Sequence, residues 1–248
     1  MRKPALSALA ALLVLGTALG QRAELQRIDE RLAATFQKLL EADGDTRFEI
    51  LAPLFKKQLV SDLAHPVTFH GNLVELSKYV VIEASPDGRV KFYSWDDLTG
   101  GTWHHISAVA QFLTDEGKIA VWPLNPENEM ETGEFTDCLI YEVHEILFGQ
   151  ANKYLTFGRG THGSGNQHSI MRIFEIAGDR LVQCDGCFAA DVGRAIEYPR
   201  NENLNLAFNT ETNEITHDEF QWDGETGRNR RTGVTVTLRL INGRFEKK

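Results

Sequence analysis

The sequence predicts a mainly β protein of the α+β class, an antiparallel sandwich or meander with an N-terminal helical pair. Residues 24–63 carry apolar side chains at three- and four-residue spacing, which is typical of amphipathic helices. After Pro66 apolar residues alternate with polar ones, which is typical of strands with one buried face. Short strand-like runs then recur between turn signals such as Asn242-Gly243, and this spacing favours an antiparallel fold.

Two helices are expected before the β region. The first covers residues 24–42, and one of its faces carries Leu25, Ile28, Leu32, Phe36 and Leu39. The second extends to about residue 63, and Pro53 either kinks it or lies in its first turn, because proline has no N–H to donate. We therefore expect residues 21–64 to form a helical pair that packs on residues 65–248 as one unit.

The β region contains twelve strand-like runs, at 79–85, 89–95, 106–112, 118–123, 138–148, 154–157, 169–176, 180–184, 204–208, 214–222, 235–240 and 244–246. Apolar residues are nearly continuous in 138–148, so that run also fits a helix, but the short polar turn after it favours a strand. A β-propeller is the alternative architecture, because the turn at 85–89 followed by Trp95-Asp96 resembles one blade.

Residues 1–20 have the pattern of a secretory signal peptide. Basic Arg2 and Lys3 precede an uncharged run of mostly Ala and Leu, and small residues lie near Gly20. The run is shorter than the roughly 20 apolar residues that a membrane span needs. We expect cleavage and export to the periplasm or the extracellular space, and an uncleaved N-terminal anchor is the alternative. No cysteine lies at the predicted cleavage site, so no lipid anchor is expected.

Net charge argues against some classes of partner. Lys and Arg total 26, whereas Asp and Glu total 35. Loss of Arg2 and Lys3 would leave 24 basic residues against 35 acidic ones, a net charge of −11. An acidic surface repels nucleic acid and anionic lipid, so neither is an expected partner, and the same acidity favours solubility. No cofactor motif is present in the sequence, and no cofactor is expected.

Three cysteines allow one disulfide and leave one thiol over. Cys184 and Cys187 flank the turn sequence Asp185-Gly186, so a local disulfide is the favoured pairing in an exported protein. A bridge from Cys138, three thiols, and a redox role for the C-x-x-C pair are the alternatives. The redox alternative is disfavoured because no helix pattern follows the pair. A structural zinc site needs four ligands, and only two are adjacent.

The densest polar and aromatic cluster is YSWDDLTGGTWHH, at residues 93–105. It offers six site candidates: Asp96, Asp97, His104 and His105 for catalysis, and Trp95 and Trp103 for ligand binding. Adjacent strand residues point to opposite faces, so at most one residue of each neighbouring pair should share a site. The alternative is structural, with a carboxylate capping the loop and the tryptophans in the core.

The segment SPDGRVKFYSWD, followed by TGGT, resembles a group of uncharacterised exported bacterial proteins that carry a YSWD…GGT signature. In that group a helical N-terminal region precedes the signature and a β-rich part follows it. The resemblance covers about residues 79–112. It implies a placement among exported proteins and implies no activity.

A second cluster, GRGTHGSGNQHS, spans residues 158–169. It lacks the Gly-Lys-Ser/Thr ending and the following helix of a phosphate-binding loop. His162 and His168 are candidate metal ligands together with His104 or His105, and Ser164 is a conceivable nucleophile. The tip of a hairpin is the favoured interpretation.

Three functions follow from these clusters. We favour a non-catalytic exported domain that binds a protein, a small molecule or a glycan, because the aromatic cluster lies on a loop and no established catalytic motif is present. The second is a hydrolase that uses the Asp96/Asp97 and His104/His105 region. The third is a metal-binding protein that uses histidines of both clusters.

Overall fold

The computed structural model describes residues 5–102, 104–124, 137–149, 151–161, 163 and 165–248, with the backbone alone described for residues 5–18. Contacts between residues divide the chain into two compact units, Met1–Tyr79 and Val80–Lys248. The described part of the first unit is helical and that of the second is built from strands. The predicted mainly β, α+β class is therefore confirmed.

The first unit contains the helices α1 (Ala5–Glu41), α2 (Gly44–Thr46), α3 (Ala52–Leu63) and α4 (Pro66–His70), with a π-helical turn at Arg47–Leu51 and a 3-10 turn at Leu76–Lys78. The helix break falls at Asp43, whose carboxylate caps α2 by accepting the backbone N–H of Thr46 at 2.9 Å. Pro53 lies in the first turn of α3 and does not kink it, because the N–H groups of a first turn have no intrahelical partner.

Residues 66–78 differ from the sequence prediction, which began the β region at residue 65. Pro66 lies in the first turn of α4, where its fixed φ suits a helix. His65 before it is extended, at φ −83° and ψ 128°, as residues before proline are. The strand pattern therefore begins only at Val81.

Long-range contacts hold the helical unit together. The buried carboxylate of Asp29 on α1 accepts the backbone N–H groups of Glu75 and Leu76, both at 2.8 Å. Phe36 packs edge-to-face on Phe55 of α3, with ring centroids 5.0 Å apart. Among the described side chains, no helix combines the length and the apolar character needed to cross a bilayer.

The second unit contains the strands β1 (Val81–Ala84), β2 (Val90–Asp96), β3 (Ile106–Leu113), β4 (Ile119–Pro123), β5 (Leu139–Phe148), β6 (Ala151–Thr161), β7 (Asn166–Ala177), β8 (Arg180–Gln183), β9 (Ala195–Pro199), β10 (Ala207–Asn209), β11 (Glu214–Asp223), β12 (Arg228–Ile241) and β13 (Arg244–Lys247). They form three sheets, with the orders β1-β2-β3-β4, β5-β6-β7-β8 and β10-β11-β12-β13, and β9 pairs with β7. Each of these strand pairs is antiparallel.

The sheet β5–β9 is the middle layer, because both of its faces are buried. Side chains alternate across a strand, so Tyr154 and Phe174 lie in one core and Leu155 and Ile173 in the other. The first core also contains residues of β2 and β3, and the second contains residues of β11, β12 and β13. The described strands close neither a barrel nor a propeller, so the propeller alternative is wrong.

Local turn chemistry explains why most strands were predictable. Asn242 and Gly243 have φ values of 51° and 82°, which is the conformation of a type I′ turn, and they join β12 to β13. Four strand regions extend beyond the prediction, namely β9, the part of β12 before residue 235, both ends of β6 and the start of β7, whereas the run predicted at 204–208 is a strand only from Ala207. The first half of β12 is largely exposed, so its residues show no alternation of apolar and polar side chains.

Candidate functional site

The loop between β2 and β3 brings each predicted aspartate into contact with one of the predicted histidines. We call residues 96–102 and 104–105 the paired-imidazole loop. The backbone N–H of Asp97 donates to the carbonyl of His105 at 2.9 Å, which closes the loop. Gly100 and Gly101 have positive φ values of 86° and 67°, so the predicted turn needs its glycines.

Leu98 in this loop has a φ of 58°, the left-handed region that costs a residue with a Cβ about 1–2 kcal/mol. The carboxylate of Asp96 accepts the backbone N–H of Leu98 at 2.7 Å and so helps to hold this conformation. Strained backbone of this kind clusters at functional sites. The left-handed region is also reached by Asn242 in an ordinary hairpin turn, so the conformation of Leu98 shows a loop held by its hydrogen bonds.

Each histidine of the loop is paired with one aspartate. Nδ1 of His104 contacts Oδ2 of Asp96, and Nδ1 of His105 lies 2.7 Å from Oδ2 of Asp97. A carboxylate on Nδ1 fixes the orientation of the ring and directs Nε2 away from it. The imidazole side chains are 38% and 52% exposed, respectively, so both rings are accessible from solvent.

The two aspartates differ in their surroundings. The Asp97 side chain is only 8% exposed, and its carboxylate also accepts Nε1–H of Trp95 at 2.6 Å and Oγ–H of Ser107 at 2.7 Å. Trp95 is fully buried, so it supports the loop from within the core and offers no face to a ligand. Sequence analysis predicted Trp95 as a ligand contact, whereas the structure shows that it is a core residue that holds Asp97.

The glycine-rich cluster meets this loop in space. Residues 158–161 and 166–169 of the cluster belong to the paired strands β6 and β7, so the hairpin is confirmed, but only the residues between these two segments can form its tip. The backbone N–H of His104 donates to Oγ1 of Thr161 at 3.1 Å. Arg200 donates from Nη2 to the carbonyl of Thr102 at 2.9 Å and from Nε to the carbonyl of Asn166 at 3.0 Å. Two segments that are about 60 residues apart in sequence therefore form one surface.

Sequence reasoning missed Arg200 because its position depends on β9, the strand that was not predicted. Arg200 follows Pro199, the last residue of β9, and its backbone N–H donates to the carbonyl of Gly165 at 2.9 Å. The only sequence signal was a basic residue after a Tyr-Pro pair, which has no distinctive meaning. Its guanidinium adds a positive charge beside the paired-imidazole loop.

His168, the second predicted metal candidate, lies in the core. Its side chain is fully buried, and Nε2 donates to the carbonyl of Asp137 at 2.9 Å. Trp103, His162 and Ser164 lie outside the described residues. Within the part of the chain that the structure describes, no three His, Cys, Asp or Glu side chains are grouped so that they could hold a metal ion.

The arrangement supports hydrogen bonding and proton transfer. Ser107 donates to the carboxylate of Asp97, and this geometry differs from that of a nucleophilic serine, whose hydroxyl donates to a histidine. An imidazole fixed by a carboxylate can donate or accept a hydrogen bond through Nε2, or take a proton from a bound water. Behind the loop, burial raises the pKa of Tyr93, whose hydroxyl donates to Oε1 of Gln111 at 2.9 Å.

The predicted local disulfide is present. Cys184 and Cys187 are joined across the Asp185-Gly186 turn, with their Cα atoms 5.5 Å apart. Cys138 is a buried thiol in the core between the first two sheets.

Comparison of the chain with protein-family models, with curated proteins and with solved structures found no match to any of them. The resemblance to proteins with a YSWD…GGT signature therefore stays a prediction.

Proposed function

We propose that the protein is an exported, non-catalytic binding domain whose ligand-contacting surface is the paired-imidazole loop. The observation that carries this proposal is that two solvent-accessible imidazoles of one loop are each oriented by their own carboxylate. Groups that are already held in one orientation lose little conformational entropy when a ligand binds. The loop therefore supports recognition by hydrogen bonds from fixed directions.

The chemistry of the surface favours a ligand rich in hydroxyl groups, such as a glycan. A hydroxyl both donates and accepts, and an imidazole Nε2 can play either role according to its tautomer. The imidazoles of His104 and His105 are 38% and 52% exposed, the carboxylate of Asp96 is 23% exposed, and the Arg200 guanidinium adds a positive charge beside the loop. A protein partner with a polar loop is the competing ligand class.

Binding can be tested by nuclear magnetic resonance of the 15N-labelled protein. Neutral oligosaccharides and then polar peptides are titrated in, and the ring nitrogens of His104 and His105 are followed. We expect saturable shifts of both rings during the titration. The His104→Ala/His105→Ala variant, which lacks both rings, should not bind the ligand. The proposal fails if an oligosaccharide or peptide binds equally well to that variant.

His65 provides a matched control for this experiment. It is also 52% exposed and lies 3.4 Å from a carboxylate, that of Glu24, but it belongs to the helical unit. His65→Ala should leave binding unchanged. Equal losses in both variants would indicate a non-specific effect of removing an exposed histidine.

A hydrolase remains the second candidate because an Asp–His pair is the geometry that orients a general base. Chromogenic esters, glycosides and phosphates test this alternative directly. Turnover that is lost in His105→Ala and kept in His65→Ala would replace the binding proposal. Turnover of equal size in all variants would be background.

Export is tested separately, by N-terminal sequencing of the protein recovered from the culture medium or the periplasm. We expect the mature chain to begin at or close to Gln21. A mature chain that begins at Met1 contradicts cleavage.

A further inference from the structure

The Cys184–Cys187 disulfide lies beside a largely buried lysine. Nζ of Lys153 on β6 is 3.4 Å from Sγ of Cys184. The Lys153 side chain is only 13% exposed, and its ammonium also contacts Oε2 of Glu175 on β7. The ring of Phe148 lies on another side, with its centroid 5.4 Å from Nζ. The cation is therefore held against one particular sulfur.

The two cysteines differ in access. Cys187 is 1% exposed, whereas Cys184 is partly exposed. Asp185 and Gly186, which join them, are exposed and form one turn of 3-10 helix. Cys184 is therefore the more accessible of the two cysteines for an external thiolate.

We propose that Cys184–Cys187 is a redox-active disulfide that exchanges with a dithiol of a partner protein, with Lys153 as the group that stabilises the Cys184 thiolate. This inference is independent of the binding function proposed above. It rests on the position of Lys153 and on the unequal access to the two sulfurs.

Exchange takes place in two steps that balance. A thiolate of the partner attacks Sγ of Cys184; a new S–S bond forms, the Cys184–Cys187 bond breaks, and its electron pair leaves on Cys187, which takes a proton. The second thiolate of the partner then attacks its own first sulfur, which breaks the bond to Cys184. The partner becomes a disulfide, and Cys184 and Cys187 together accept its two electrons.

Lys153 acts in the second step, when Cys184 leaves as a thiolate. A thiolate beside a lysine ammonium is stabilised, and stabilisation is larger where water is largely excluded. Glu175, the more exposed partner of Lys153, holds the ammonium in place. The Lys153 ammonium therefore favours the reduced protein, and the carboxylate of Glu175, which contacts the same ammonium, offsets part of this effect.

The first test measures alkylation of Cys184 by iodoacetamide as a function of pH in Cys187→Ser, with mass spectrometry to separate Cys184 from Cys138. We expect a midpoint below about 7.5, against about 8.5 for an ordinary thiol. Adding Lys153→Met should raise the midpoint by about one pH unit and slow the reaction several-fold at pH 7. A midpoint near 8.5 that is unchanged by Lys153→Met overturns the proposal.

The second test keeps both cysteines, in case Cys187→Ser does not fold. The native protein is equilibrated in buffers of reduced and oxidised glutathione, and the reduced fraction is read by mass spectrometry while circular dichroism monitors the fold. We expect reduction without unfolding, and several-fold less reduction in Lys153→Met. Lys118→Met, at a lysine that is 76% exposed, is the matched control and should match the wild type. A disulfide that is reduced only when the protein unfolds contradicts a redox function.

Discussion

Asp96 and Asp97 are adjacent, carry the same side chain and bind adjacent histidines, yet their surroundings differ. Asp97 points inward, where its carboxylate is 8% exposed and accepts hydrogen bonds from Trp95, Ser107 and His105. Asp96 points outward, is 23% exposed, and binds His104 and the backbone of Leu98. The difference follows from their partners, because Asp97 is held by the buried Trp95 and by Ser107, whereas Asp96 ends β2 beside the loop backbone.

The comparison shows that one sequence cluster can contain both a structural and a functional element. Asp97 joins the loop to the core, because its three side-chain donors come from β2, β3 and the loop itself. Asp96 orients the exposed imidazole of His104 and, unlike Asp97, accepts no hydrogen bond from Trp95 or Ser107. We therefore expect substitutions at Asp97 to reduce stability as well as to release His105, and those at Asp96 to act mainly on His104.

The largest effect is expected for Asp97→Ala. It leaves the buried donors of Trp95 and Ser107 without their acceptor, so the free energy of unfolding should fall by about 3 kcal/mol. Urea denaturation measures this change, with Asp96→Ala as the matched control. A loss at Asp97 no larger than the loss at Asp96 would remove the distinction between the two pairs.

Trp95→Phe should cost less, about 1–2 kcal/mol, because it removes the indole N–H and some ring volume but keeps Asp97 bound to Ser107 and His105. The loss of unfolding free energy in the double variant Trp95→Phe/Asp97→Ala should be about 1 kcal/mol smaller than the sum of the losses in the two single variants. The double-mutant cycle is measured by the same denaturation experiment. Strictly additive losses would mean that the indole and the carboxylate do not interact in solution.

Asp96→Ala should reduce the free energy of unfolding by less than about 1 kcal/mol, since water can replace a partly exposed carboxylate. The ring of His104 should nevertheless lose its fixed orientation, which is visible as a change in its ring 15N signals. The His105 signals serve as the internal control. If both rings change equally, the two pairs form one coupled unit.

The smallest effect concerns His217, a buried histidine whose Nδ1 bonds to a carbonyl, 2.8 Å away, and not to a carboxylate. Burial lowers the pKa of His217 below its usual range, so the unfolded chain binds this proton more readily than the folded protein does. The contribution of neutral His217 to the free energy of unfolding is complete above the pKa of a histidine in the unfolded chain, about 6.5. It is lost as the pH falls below that value.

In His217→Gln the free energy of unfolding, measured by urea denaturation, should therefore fall less between pH 7.5 and 5.5 than in the wild type. A residual slope is expected from His144, whose pKa is also lowered by burial. An unchanged slope in His217→Gln would show that His217 does not titrate differently in the two states.

Much of the candidate site could be predicted, since Asp96, Asp97, His104 and His105 stand out as a cluster and alternation alone indicates that the neighbours diverge. Two features could not be predicted. The meeting of the paired-imidazole loop with the β6–β7 turn depends on Thr161, and the position of Arg200 depends on β9. Both are contacts between segments far apart in sequence, and local patterns contain no information about such contacts.

By itself, the sequence determined the mainly β class, most strand positions and the hairpin turns, and it favoured the Cys184–Cys187 pairing, because periodicity, turn residues and short loops act over a few neighbouring residues. Only the tertiary structure decided that the sheet β5–β9 is buried on both faces, that Trp95 is part of the core, and that Lys153 lies against Cys184. These features arise when distant strands stack, and packing between distant segments decides which of two adjacent side chains is buried and which is exposed.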